Sequence, residues 1–414
     1  MALCHRCVVT IAAVAVAVAV AVALGTSVGA RSASAAPDTP DADSAAVLRA
    51  RGLRAGYNLD HADALVAFRG AIAADPRHPA AYRLAAATVW VDLLFEQGAI
   101  TVDDYLGQAR DNLPRAHPNA ALVATFHDLL QQSIALSEQR VRTHPTDADA
   151  HYQLASALAL QASYTATIES RVMGSFGSAR QACAEYQRVL RLDPSRKDAG
   201  LMVGLYSDVI SDLPAPVRLF ARLLGFGLDR ARGLRLVEEA ASFASDSQTD
   251  ARFTLILMYT RRARYDDARR IATELQLAYP GNRLLWLEAG TAAMRAGHPT
   301  EAKAAIEEGL ARIERDPRPR AYGEDSRWRY AHGASLVALK DLSHAEPELR
   351  AALSGATRDW VRGRIHTELG KLGDLRNDRP RALNEYRLAD DLCRLDHDDA
   401  CSTAARNLIK TRYQ

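Results

Sequence analysis

Gly225, Gly227 and Gly233 are the residues that come nearest to a phosphate-cradling loop. A dinucleotide fingerprint needs glycine at its first, third and sixth positions, just after a strand. Counted from Gly225, the sixth position is Arg230, and no strand-like run precedes it. The chain contains no G-x-x-x-x-G-K-[ST], no H-E-x-x-H and no G-x-S-x-G. Glu238-Glu239 and Glu307-Glu308 are adjacent carboxylates. Neighbours on a helix point about 100° apart, so neither pair makes a general acid/base dyad by itself. Asp396-His397-Asp398-Asp399 gathers cation-attracting groups, but Asp398 or Asp399 also fits as the cap of a final helix, at its positive end. From these residues we expect no catalytic residue, no cofactor site and no metal site.

The chemistry left over is recognition. Arg252, Arg283, Arg329 and Arg364 each fall early in the first helix of a predicted helix pair. They make either a basic ladder for carboxylates or an ordinary solvated helix surface. Five cysteines are present. Cys4 and Cys7 lie in the N-terminal segment that reads as a signal. Cys393 and Cys401 can staple the last two helices in an oxidising compartment, or they and Cys183 are simply small buried residues.

The elements that position these groups follow from periodicity. Hydrophobic residues make up 48% of the chain and lean on Ala and Leu, while aromatics are only 6%, which favours helix over strand. Ala64, Phe68 and Ala71 stand four and three apart, on one helical face, with Gly52 in the preceding helix and Asp75-Pro76 closing the unit. Later units repeat the pattern. One carries Tyr259, Ala268, Ala272 and Leu275; the next carries Trp286, Gly290, Ala293, Ala302, Ile306 and Gly309. Ala268 to Ala302 is a step of 34. Glycines 290, 333 and 370 keep step with alanines 302, 345 and 382. This arrangement resembles the tetratricopeptide repeat, whose units run to about 34 residues. The resemblance implies an all-α, right-handed superhelical solenoid of antiparallel helix pairs that binds protein segments on a concave face. Residues 44–246 are expected to be diverged repeats, with three pairs between 79 and 246. Residues 247–398 are expected to be regular repeats, and residues 399–414 a capping helix.

One segment departs from the repeat. Leu213-Pro214 is followed eleven residues later by Gly225, Phe226, Asp229, Arg230, Gly233 and Leu234. This order resembles a divergent tetratricopeptide family of inclusion-body-clearance and related outer-membrane proteins, although Leu228 stands where that family usually has Gly. The resemblance implies a non-enzymatic repeat adaptor. In residue terms, 213–234 reads as a bent insertion: a wall of the groove, a membrane-touching face or a structural plug. Asp229 is placed to cap the helix that follows, or to pair with Arg230 or Arg232.

The N-terminus reads as a targeting segment. His5 and Arg6 precede an uncharged run from Cys7 to Gly25, and Val28-Gly29-Ala30 and Ala33-Ser34-Ala35 offer small-residue cleavage sites. Residues 1–36 are therefore expected to be a signal peptide or an uncleaved anchor, with any membrane tether confined to 7–25, and residues 37–43 a linker. The remainder is expected outside the cytoplasm, in the periplasm or extracellular. Formal net charge is +2 and no basic stripe interleaves with aromatics, so nucleic acid is not an expected partner. The function expected is an exported, non-enzymatic scaffold for a protein or peptide partner. The alternative is an accessory subunit of an envelope or polysaccharide-processing enzyme.

Overall fold

The computed structural model describes residues 40–99, 101–106, 118–211, 218–219 and 229–414. The apolar N-terminal segment, Leu213-Pro214, Gly225 and Phe226 lie outside these residues. Among the described residues the chain is all-α: 17 α-helices, two short 3-10 turns and no strand. It divides into two compact units, one of residues to Leu94 and His117–Met258, the other of Phe95–Ala116 and Tyr259–Gln414. The division between the units falls after Met258, and a stretch following Leu94 groups with the later repeats. Helix also begins at Pro40, inside the expected linker.

The first unit holds α1 (Pro40–Tyr57), α2 (His61–Ala74), most of α3 (Pro79–Glu96), α4 (Ala120–Thr143), α5 (Ala148–Thr167), α6 (Val172–Leu192), α7 (Gly200–Ser211), α8 (Arg230–Ser242) and most of α9 (Gln248–Arg261). Leu53, Ala64 and Phe68 of the first pair pack with Leu84 and Ala85 of α3. Within the 213–234 segment, Asp229 caps α8 by accepting the Arg232 N–H at 2.9 Å. Arg230 is exposed, 3.6 Å from the buried Asp208, and Leu234 is half-buried. Gly233 lets α7 and α8 close up, because a Cβ there would sit 2.8 Å from the Gly204 carbonyl.

The second unit holds α10 (Tyr265–Ala278), α11 (Leu284–Arg295), α12 (Pro299–Glu314), α13 (Glu324–Ala338), α14 (Leu342–Ser354), α15 (Asp359–Leu375), α16 (Arg379–Leu395) and α17 (Asp399–Lys410). In α11/α12, α13/α14 and α15/α16, a first-helix glycine faces a bulky side chain sixteen residues on: Gly290 against Ile306, Gly333 against Leu349, Gly370 against Tyr386. Gly52 against Phe68 repeats this in α1/α2. The turn between the paired helices is equally regular. Seven residues after each glycine, at Leu59, Gly297, Lys340 and Asn377, the backbone turns left-handed. The next N–H then returns to a first-helix carbonyl, as in Asp341 to Leu336 and Asp378 to Gly373, the C-terminal motif that satisfies a helix's last acceptors. Asp398 caps α17 through the Cys401 N–H at 3.1 Å. Cys393 and Cys401 form a disulfide between α16 and α17, their Cα atoms 5.8 Å apart. Cys183 is free and buried, and burial pushes its thiol up to about 11. Among the described residues no helix is long and apolar enough to cross a membrane.

Candidate functional site

The first helices α11, α13 and α15 of the second unit neighbour one another and share a face. Lying on that face are residues 97–99 and 101–106, which leave the end of α3. Thr101 opens a short 3-10 turn, Val102–Tyr105, closed by a capping box: the Asp104 carboxylate accepts both the Thr101 N–H at 3.0 Å and the Thr101 hydroxyl at 2.9 Å. Gly98 takes a left-handed φ of 65° close under the Tyr322 carbonyl, where a side chain has no room.

Four arginines hold two carboxylates. Arg327 is bidentate on Asp104, with both N–O distances 2.9 Å, and Arg358 donates to the same carboxylate at 3.1 Å. Arg295 donates to Asp103 at 2.6 Å and Arg364 reaches the same oxygen. The arginines also read the segment's backbone: Arg327 donates to the Gly98 carbonyl at 2.6 Å and Arg358 to that of Gln97 at 3.0 Å. Arg364 is tied at its other edge to Asp398, 2.9 Å away. The Arg327 and Arg364 guanidinium groups lie 5.4 and 4.5 Å from the centre of the Trp360 ring, adding a cation–π component. Asp104 and Arg327 are almost wholly buried.

The electrostatics follow the geometry. Burial raises the Asp103 carboxyl, but Arg295 and Arg364 outweigh it and hold the group well below the usual carboxylate range. Burial lowers Arg364, and Asp103 and Asp398 more than restore its charge. Arg358 is held below its ordinary value by burial and by Arg327, against the pull of Asp104. Glu288 on α11 accepts the Val102 N–H at 2.8 Å; burial first, then the charge of Asp103, raise its carboxyl to about 7. The stabilisation tied to that proton is complete below the ordinary value of 4.5 and is lost as pH climbs through about 7. Thermal melts should therefore show the wild type losing stability from about pH 4.5 to about pH 7, with Glu288→Gln much flatter over that range.

The four arginines singled out from sequence do not form one ladder. Arg364 belongs to the cluster just described. Arg283 is a buried structural group: its guanidinium donates to Glu324 at 2.6 and 3.0 Å, to Asp316 at 2.9 Å and to the Pro319 carbonyl at 2.8 Å. Arg329 is exposed and pairs with Glu348 on the second helix of its own pair, 3.3 Å away. Arg252, on α9, is half-buried in the first unit. Sequence reasoning passed over Asp103, Asp104, Arg295, Arg327 and Arg358. Two signals bore on them. Arg327 and Arg364 stand six residues before Gly333 and Gly370, so they occupy one register position. Thr101-x-x-Asp104 is a helix-start signature. Among the described residues no group of three or more His, Cys, Asp or Glu is placed to hold a metal ion.

The fold is that of a tetratricopeptide-like helical repeat protein. No family model and no curated protein matches the sequence. Several solved structures are similar in fold. The pilF protein of Pseudomonas aeruginosa is 16% identical, covering 63% of this chain and 96% of its own, with a TM-score of 0.37. Human IFIT1, solved as a dimer with m7Gppp-AAAA, is 13% identical over 97% of this chain and 87% of its own, with a TM-score of 0.42. Yeast Tom70 is 11% identical over 89% of this chain and 90% of its own, with a TM-score of 0.36.

Proposed function

We propose that this chain is an exported, non-enzymatic scaffold whose first-helix faces hold acidic segments of partner proteins. The observation that carries the reading is the second unit's grip on residues 97–99 and 101–106: side chains from three successive first helices take two carboxylates and two main-chain carbonyls of a stretch that carries a short 3-10 turn. A surface that does this for its own chain has the donors to do it for another. Export rests on the N-terminal basic and apolar pattern and agrees with a disulfide at Cys393–Cys401, since such bonds persist in oxidising compartments.

The test separates a recognition surface from a strut. In the full chain, Asp103→Asn with Asp104→Asn weakens the resident segment, and a fluorescent peptide of residues 97–106 is then added. The variant is expected to bind the peptide with a micromolar Kd, at least about tenfold tighter than the wild type, and to regain melting temperature on binding. A folded variant that ignores the peptide overturns the reading. Sequencing the N-terminus of the secreted or envelope-associated protein tests export; recovery only from the cytoplasm, with residues 1–36 intact, removes that part.

A further inference from the structure

Arg83 sits on α3 in the first unit, one of the helices that precede the segment described above. It is only 9% exposed. Its Nε is sealed from solvent without an acceptor, and the side chain makes no hydrogen bond or ion pair among the described residues. A guanidinium in such a place is costly unless an anion meets it. The surrounding cations are committed: Arg196 is bidentate on Asp198, at 2.9 and 3.0 Å, and Arg140 pairs with Asp147 at 3.3 Å and Asp149 at 3.2 Å. Arg49, on α1, is like Arg83 in having no such partner.

Arg83 acts electrostatically on side chains from three other stretches of the first unit. Tyr152 of α5 and Tyr186 of α6 meet edge to face at 5.8 Å, and both feel its charge. Their hydroxyls are already engaged, Tyr152 with Ser247 at 3.2 Å and Tyr186 with Ser156 at 2.9 Å. Asp246, just before α9, is exposed by surface area but crowded by its neighbours: burial raises its carboxyl, Arg83 and Arg49 pull against that, and it pairs with neither. The protein therefore presents two uncommitted guanidinium groups and one wall of phenol rings. The second unit shows what such a pair takes in this chain: Arg327 and Arg358 share the single carboxylate of Asp104.

We propose that Arg83, assisted by Arg49, is a second recognition site, on the first unit, for an aspartate or glutamate side chain of a partner segment. Two arginines flanking a carboxylate provide the directional, charge-assisted bonds that Arg83 lacks in the free chain. The site does not depend on the one in the second unit, so either can fail alone.

Calorimetry on the full chain tests it, with the capped peptide acetyl-Ala-Asp-Ala-amide as probe and acetyl-Ala-Asn-Ala-amide beside it. The acidic peptide is expected to bind and the amide analogue not. Arg83→Leu should cut binding at least ~10-fold, and Arg83→Lys should keep part of it. Without peptide, Arg83→Leu should melt at or above the wild-type temperature, because it removes a buried, unpaired charge. Unchanged affinity in Arg83→Leu, equal binding of the two peptides, or a lower melting temperature for that variant each overturns the proposal. Inorganic phosphate is expected to compete only weakly; competition at equal concentration assigns the site to phosphate and overturns the peptide reading.

Discussion

Asp104→Ala is expected to destabilise the second unit by roughly 3–5 kcal/mol, among the largest single-residue effects in this protein. The carboxylate accepts from Arg327 at both oxygens, from Arg358, and from the backbone and hydroxyl of Thr101. Removing it leaves Arg327 and Arg358, both nearly fully buried, facing each other without a counter-charge. Burial and Arg327 already hold Arg358 below its ordinary value, with Asp104 as the main compensation. Asp104→Asn keeps the shape and an acceptor oxygen, and should cost less than Asp104→Ala. Trp360, stacked beside Arg327 and Arg364, is the natural reporter: urea denaturation followed by tryptophan fluorescence should show a lower midpoint for Asp104→Ala. A loss below ~1 kcal/mol would mean that water replaces the carboxylate and that the cluster is not the anchor of the segment.

The helix pairs were legible in the sequence because their determinants are local and repeated. A first-helix glycine, a bulky residue sixteen positions later and a small residue beside it must coincide wherever two helices pack closely, so glycines 290, 333 and 370 and alanines 302, 345 and 382 marked the pairs in advance. The site was not legible in the same way. Its two halves are Asp103 and Asp104 on one side and Arg327, Arg358 and Arg364 more than two hundred residues later. No short-range pattern links them. Picking arginines by their place near a helix start also ignored rotation about the axis. Arg327 and Arg364 are six residues before their glycines and point to the segment. Arg283 is seven before Gly290, so it is turned by about 100° and enters the loop ahead of α13. Arg329, two residues beyond Arg327, is turned by about 200° and meets Glu348 of the second helix. Residue type was the right signal, and register decided which arginines it applied to.

That rotation gives the contrast between Arg283 and Arg329 a measurable form. Arg283→Ala is expected to cost about 3–5 kcal/mol, because Glu324 is fully inaccessible and would lose both of its arginine bonds. Arg329→Ala removes an exposed ion pair and should change stability by about 0.5 kcal/mol or less. Asp316 is less vulnerable than Glu324, since Arg318 also holds it at 2.8 Å. Burial raises the Asp316 carboxyl, and the bonds from Arg318 together with the charge of Arg283 carry it well below its ordinary range. Arg283→Met combined with Glu324→Leu should recover part of the loss, because a buried pair replaced as a unit leaves no orphaned charge. The recovery should be incomplete, since Glu324 also accepts the Ala321 N–H at 2.9 Å. Chemical denaturation of the single and double variants measures this directly. Equal losses for Arg283→Ala and Arg329→Ala would return Arg283 to the solvated surface and undo its assignment to the packing between α11 and α13.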